Sequence, residues 1–496
     1  VYIMVTMPTE AANEYLLVHS LLDSGMDCIR INCAHDDPET WARMIRNLRH
    51  AERATGRNCR VLMDLGGPKL RTGEMERIPG VFKVRPVRGR DGKVLRSARV
   101  WLQSHIASSD MPVAADASLV VDGKWLDGLK SGDRIRFKDA RGSGRTWRVR
   151  DVSPNGCWVD AKKTAYIMNG VELVHFGAGQ EGGDTAIVDS LTAQEGVIEL
   201  RNGDTVLLDS SGQPGRPAYR DDDGVLLNPG VISLTIPEIY RDCCPGETVC
   251  FDDGRVTGMI EEVNDRQIRV RVTQTRKPME KLRSDKGINF PDTSLDLPAL
   301  SAKDLRDLDF AARHADMVGL SFTNQPVDVA HLRQELSTRN AAHVSVVVKI
   351  ETKRGFRNLP GILLEALKFP ACGVMIARGD LAVETGFERM AEVQEEILWV
   401  CEAAHVPVIW ATQVLETLTK SGQATRAEIT DAAMGQAAEC VMLNKGPYIT
   451  RAVRVLDNIL RRMQGHHAKK RSMLRKLEIG AASNRPTGLP IAPAPQ

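Results

Sequence analysis

Short apolar runs alternate with amphipathic stretches from the first residues of this chain. Tyr2–Met7 reads as a buried strand, Glu10–Ser24 as a helix ended by Gly25, and Asp27–Asn32 as a second strand. Asp37-Pro38-Glu39 then supplies an N-cap, a proline at the first helical position and a first-turn acid for a helix reaching about Arg53. Arg60–Asp64 is the third strand, and it runs into a loop of glycines and cations from Gly66 to Gly73.

The alternation stops there. Between Glu74 and Asp285 the pattern turns to short β segments, among them Arg134–Phe137, Trp147–Val149, Thr248–Phe251 and Ile268–Val272, separated by Gly, Asp and Pro turns. Ser131–Asp139 echoes Pro245–Asp253, which fits either two small β modules, about 74–195 and 196–285, or a common turn preceding an alternating strand. After Lys286 the first pattern resumes. Strands are expected at Asp316–Phe322, Val344–Ile350, Cys372–Ala377, Val406–Trp410 and Cys440–Leu443, with helices at Ser301–His314, Asp328–Arg339, Arg354–Leu367, Met390–His405, Arg426–Ala437 and Tyr448–Arg462. Eight βα units make a TIM (β/α)8 barrel the economical α/β fold, with a β-rich domain inserted after strand 3. A doubly wound sheet is the runner-up, but the chain has no dinucleotide-type glycine signature. The expected organisation is barrel over 1–73, inserted domain over 74–285, barrel again over 286–465, and a basic then proline-rich, disordered tail over 466–496.

Composition narrows the function classes. The 496 residues, 42% hydrophobic, suffice for more than one core. Lys plus Arg (66) nearly balances Asp plus Glu (64), so no global field recruits nucleic acid or an anionic membrane. Ten cysteines without CxxC spacing favour reduced thiols and a cytoplasmic setting over a disulfide framework or a zinc motif. No apolar run is long enough for a membrane span. The chain opens inside a strand without an initiating methionine, so an upstream portion, and any targeting segment in it, is expected to be missing.

The stretch from Val346 to Glu384 carries the chemistry. Two apolar runs end in Lys349-Ile350-Glu351 and in Arg378-Gly379-Asp380. Parallel barrel strands deliver their C-terminal ends to one rim, so a lysine and two carboxylates meet there. Two carboxylates suit a hard divalent cation, and a lysine suits phosphate or enolate oxygens. Either triplet alone could be a solvated ion pair at a strand end. Together they describe a phosphoryl-transfer or enolate site.

Taken in order, the motifs resemble those of the pyruvate kinase family. They are Arg30-Ile31-Asn32-Cys33-Ala34-His35, the loop from Asp64 to Gly73, Lys286 to Pro291, Ser321-Phe322, Lys349-Ile350-Glu351, Ala377 to Leu381, Ala411-Thr412-Gln413, Thr425 to Asp431 and Met442-Leu443. The resemblance implies phosphoryl transfer between phosphoenolpyruvate and ADP, giving pyruvate and ATP. It implies Mg²⁺ or Mn²⁺ on Glu351 and Asp380, and Lys349 neutralising charge on the phosphoryl group and the enolate. By the same resemblance Arg30 holds the phosphate, backbone N–H groups at Gly379 and Asp380 cradle the carboxylate, and Thr412 is linked to protonating the enolate carbon. Asn32, His35, Arg71 and Lys286 match nucleotide-side positions. The inserted domain would act as a lid, with Asp253 in it but not catalytic.

Several positions depart from that pattern. The family's potassium site keeps Asn32 and Asp64 here, but its serine is Ala34 and its threonine is Leu65. The usual glutamate after Gly-Pro is Lys69, and an ammonium beside Asp64 could replace K⁺. Gly66 stands where the family has a lysine, and the loop after strand 8 is shortened to Asn444–Tyr448. Little chain follows Arg462, so the family's C-terminal effector domain is expected to be absent, with a homo-oligomer left open. Two other readings stand beside the kinase: a phosphoenolpyruvate/pyruvate-type barrel lyase or aldolase, and a catalytically weak, metabolite-binding pseudokinase.

Overall fold

The computed structural model describes residues 1–467 apart from 79, 105–114, 154, 178–182, 190–193 and 222–223. Eight parallel strands close into a barrel: β1 (Tyr2–Thr6), β2 (Cys28–Asn32), β3 (Arg60–Asp64), β4 (Met317–Leu320), β5 (Ser345–Ile350), β6 (Cys372–Ala377), β7 (Val408–Ala411) and β8 (Cys440–Leu443). The insertion follows β3, as expected. Outward-facing side chains such as Val61, Val346, Val348 and Ile376 pack under the helices in one large core. Inward-facing ones, including Met4, Leu62, Val347, Met375 and Met442, fill the barrel's interior.

The period-two alternation of a strand explains the rest of each file. Two residues beyond Leu62 the inward position is Asp64, and two beyond Val347 it is Lys349. The barrel is therefore apolar at its middle and ionised at its C-terminal rim. Gly319, on β4, leaves room for this: a Cβ there would lie 2.7 Å from Asp64 Oδ1.

The chain divides into two compact units. One comprises 1–73, 199–213 and 218 onward, and besides the barrel it holds a six-stranded sheet formed by Gly230–Ser233, Thr205–Asp209, Gln267–Thr275, Val256–Val263, Thr248–Phe251 and Ile288–Asn289, in that order. The other comprises 74–198 and 214–217. Its seven-stranded sheet runs Thr185–Ile187, Glu172–Phe176, Arg134–Lys138, Gly144–Ser153, Gly156–Ala161, Ala98–Gln103, Ala117–Val120, over its own core around Ile135, Trp147 and Val159.

The echo between Ser131–Asp139 and Pro245–Asp253 is one recurring turn. Gly132 and Gly246 have φ +97° and +92°, and their N–H groups donate to the carbonyls of Val149 and Ile260, both at 2.8 Å. The next residue's carboxylate accepts from the backbone three residues earlier, Asp133 from Lys130 at 2.8 Å and Glu247 from Cys244 at 2.9 Å. Arg201–Asp204 builds the same turn a third time, with Gly203 at φ +88° and Asp204 accepting from Arg201 at 2.6 Å. Left-handed backbone at each glycine explains the shared letters.

Two expected helices are shorter than their periodicity. Glu10–Ser24 splits into a 3-10 turn, Thr9–Ala12, and a helix, Tyr15–Asp23. Arg354–Leu367 breaks at Asn358, because Pro360 lacks an N–H and sits in the first turn of a new helix, Leu359–Ala366. The closing helix spans Ile449–His467, and the expected disordered tail lies outside the described residues from 468 onward. All ten cysteines are unpaired.

Candidate functional site

Asp64, at the end of β3, is fully buried and is the centre of the rim. Arg30, two strand positions above Cys28 on β2, donates from Nε to its Oδ2 at 2.7 Å and approaches the same atom with Nη2 at 2.6 Å. Arg30 Nη1 also reaches Thr6 Oγ1 at 3.1 Å. From the other side Lys349 Nζ stands 3.2 Å from Asp64 Oδ1. Burial by itself would raise the Asp64 carboxyl, but Lys349 and Arg30 together hold it below its ordinary value.

Lys349 joins this centre to the next carboxylate. Its Nζ lies 3.0 Å from Glu351 Oε1 and donates to Ser321 Oγ at 2.6 Å, while Ser321 in turn donates to the Leu65 carbonyl at 2.6 Å. Burial disfavours the ammonium, yet Asp64 and Glu351 outweigh it and hold Lys349 protonated above its usual range. Glu351 is only 4% exposed, and its Oε2 accepts from the Phe322 N–H at 2.6 Å. Burial raises its carboxyl, Lys349 opposes that, and Asp380 adds to it.

Lys69 does not stand beside Asp64. The loop after β3 turns at Gly67, φ +68°, with Asp304 Oδ1 accepting the Gly66 and Gly67 N–H groups at 2.9 and 3.3 Å. It carries Lys69 across the mouth to Asp380, where Nζ meets both carboxylate oxygens at 3.0 Å. The cations on Asp64 are Arg30 and Lys349. Leu65, out of phase with Asp64, buries its side chain in the outer core, and the Ala34 N–H is taken by Asn32 Oδ1 at 3.1 Å.

The short helix α1 (Arg378–Thr385) begins directly after β6 and presents Gly379 and Asp380 at its first turn. Thr412 Oγ1 accepts the Gly379 N–H at 2.9 Å. Thr412, Gln413 and Leu415 have φ of +62°, +58° and +47°, a strained turn for side-chain-bearing residues. Arg378 clamps it: Nε donates to the Ala411 carbonyl at 2.9 Å, Nη2 to that of Thr412 at 2.6 Å, and the guanidinium is paired with Asp431 and lies 4.8 Å from the Trp410 ring centre.

Beside Arg30 opens a cleft of about 330 Å³, lined by Asn32, His35, Glu416, Lys420, Asn444 and Lys445 among others. Burial, Lys445 and Arg71 depress the His35 imidazole, which places Arg71 in its electrostatic range. Arg71 itself is held by Asp285, 3.1 Å from Oδ1. Lys286 is directed to Asp252, 3.4 Å from Oδ1, and does not line this cleft. Of the expected nucleotide-side residues, Asn32 and His35 line the cleft, while Arg71 and Lys286 do not and are paired with Asp285 and Asp252.

Ser321, Asp304, Arg378 and Lys445 were not singled out from the sequence as site residues. Ser321 and Lys445 had a readable signal, since each lies one or two positions beyond a strand's C-terminal end. Arg378 follows β6 directly and had the same signal, whereas Asp304 acts through a loop whose path periodicity does not give.

Among the described residues no group of three or more His, Cys, Asp or Glu side chains converges as a metal cage. Two carboxylates just beyond the ends of neighbouring strands, Glu351 after β5 and Asp380 in the first turn of α1, fit a divalent cation that completes its shell with ligand oxygens and water, as Mg²⁺ commonly does.

A family model described as pyruvate kinase, barrel domain, matches residues 1–92 and 197–453. The chain is 32% identical over 282 residues to a pyruvate kinase of Bacillus licheniformis, covering 55% of this chain and 45% of that protein. It is 36% identical over 234 residues to one of Schizosaccharomyces pombe, covering 46% and 44%, and 30% identical over 370 residues to one of Hypocrea jecorina, covering 68% and 66%. The chain spans about half the length of the first two relatives.

Proposed function

The chain belongs to the pyruvate kinase family, and from that premise we propose that it transfers the phosphoryl group of phosphoenolpyruvate to ADP, giving pyruvate and ATP. The observation that carries this reading is the file of Arg30 with the buried Asp64, Lys349 and Glu351, in which two cations and two carboxylates share one rim. Phosphoryl transfer asks for positioning and charge neutralisation, and a preorganised, dry set of charges supplies both.

Arg30 offers a planar fork of donors to the phosphate, preoriented by Asp64 and Thr6. Lys349, held protonated, neutralises the transferring group and the enolate oxygen. Glu351 and Asp380 would hold a divalent cation, which when bound supplies Lewis-acid stabilisation to substrate oxygens. The Asp380 N–H in the first turn of α1 binds the substrate carboxylate, and the Gly379 N–H, donated to Thr412 Oγ1, joins it only if that hydrogen bond is exchanged. Thr412 stands where the enolate carbon is protonated, through water. The nucleotide lies in the cleft at Asn32 and His35, with Arg71 beside it and Lys445 adding a cation from the shortened loop. No monovalent cation is required, because Arg30 and Lys349 neutralise Asp64 and Lys69 adds a fixed charge at Asp380.

One observation favours the weak, metabolite-binding reading. Lys69 engages both oxygens of Asp380, so a divalent cation must displace it or share that carboxylate. A coupled assay of pyruvate release separates the readings, run in potassium and in tetramethylammonium buffers at equal ionic strength. We expect ADP-dependent turnover, similar in both buffers, and a loss of at least about a hundredfold in Lys349→Met. Turnover without ADP means a lyase, binding without turnover means a pseudokinase, and strong activation by potassium contradicts the internal-charge account.

A further inference from the structure

Residues 93–196 lie outside the family match, and nothing in the proposed reaction uses them. Most of the second compact unit is built from this stretch, and one face of its seven-stranded sheet has an unusual charge pattern. On the strand Arg134–Lys138, alternation buries Ile135 and Phe137 and leaves Arg134, Arg136 and Lys138 exposed on the same side. Directly opposite Arg134 on the next strand is Arg148, a like-charge cross-strand pair that destabilises a sheet unless something compensates it.

The hairpin's nearby carboxylates do not compensate. Asp133 is engaged by His175 at 2.7 Å, and Asp139 by Arg141 at 3.2 Å and Arg145 at 3.0 Å. Among the described residues, Arg134, Arg136 and Lys138 have no ion-pair partner. The same face holds a cavity of about 830 Å³ whose lining includes Arg136, Lys138, Thr146, Val174 and Phe176, together with Glu172 and the arginine-paired Asp139. That is the size range of small-molecule sites. The Arg136 guanidinium lies 4.6 Å from the Phe176 ring centre, so a flat apolar surface and a charged fork adjoin.

We propose that this cavity binds a small organic phosphate, with anionic groups on Arg136 and Lys138 and an apolar body over Val174 and Phe176. Alternate residues of a strand stand roughly 6 to 7 Å apart, which suits a ligand with more than one anionic group. The positive area is also bounded. Glu172, on the neighbouring strand, lines the cavity itself, and Asp160 lies opposite Arg148 on the other side, so the cationic stretch is too short for a nucleic-acid strand to follow.

Isothermal titration of the full chain at about 0.15 M salt tests this, with inorganic tripolyphosphate and 1-naphthyl phosphate as probes and oligothymidylate as the polymer arm. Anions also bind the barrel site, so wild type is compared with the double variant R136S/K138S, in which both changes are at exposed positions. We expect wild type to show a binding event that weakens about tenfold or more in R136S/K138S and survives in the charge-preserving R136K/K138R, with pyruvate release unchanged in both. Equal binding by wild type and R136S/K138S overturns the proposal. So does binding of oligothymidylate that strengthens with length while neither small probe binds.

Discussion

Glu384 is the residue whose ionisation the fold opposes in the most readable way. Burial drives its carboxyl from the ordinary 4.5 up to about 7, more than the hydrogen bond from Asn289 Nδ2 at 3.1 Å and the one from the Lys353 backbone offset. The native chain therefore keeps a proton that the unfolded chain releases between those two values, and stability falls as pH rises through that window. Glu384→Gln removes the dependence. Its thermal midpoint relative to wild type should rise between about pH 5 and about pH 8, by the equivalent of up to about 3 kcal/mol. Parallel midpoints across that range contradict this account. At this scale the sequence was informative where a strand ended in charge, as at Lys349, Glu351 and Asp380. It was not informative about Lys69, because its destination depends on the left-handed turn at Gly67 and on Asp304, more than two hundred residues away in the chain.

Asp304 shows how one element serves another. It caps the helix Ala302–His314 in a reciprocal box with Ser301, whose N–H donates to Asp304 Oδ2 at 2.8 Å, and its other oxygen gathers the Gly66 and Gly67 N–H groups. The capping box was legible as a Ser-x-x-Asp pattern, but its second task was not. Asp304→Ala should cost about 1–3 kcal/mol, from a lost cap and unpaired loop amides, and should loosen the loop that carries Lys69. Urea midpoints check the first effect, and faster hydrogen exchange at Leu65–Leu70 checks the second. A destabilised variant with unchanged exchange there would confine Asp304 to capping. The repeated glycine turn carries a similar lesson. Its letters at Gly132, Gly203 and Gly246 report a backbone conformation, and they recur in both compact units.

For the whole molecule, the eight barrel strands were legible because parallel strands buried on both faces read as short apolar runs. The strands of the inserted segment were legible only in part. Arg134–Lys138 alternates cleanly and was readable, whereas short, largely exposed strands such as Val94–Arg96 and Leu226–Asn228 carry no buried alternation to read. The division at about residue 198, with 199–213 joining the barrel's unit, follows from long-range pairing such as Val206 with Val270, which no local pattern encodes. Among the described residues no helix is long and apolar enough to cross a membrane. The proposed reaction uses only residues within the family match, 1–92 and 197–453. Its most direct test is ³¹P NMR of the full chain with phosphoenolpyruvate, ADP and Mg²⁺. We predict that the phosphoenolpyruvate resonance is replaced in equal amount by the γ-phosphate of ATP. An unchanged spectrum, or orthophosphate without ATP, contradicts the account.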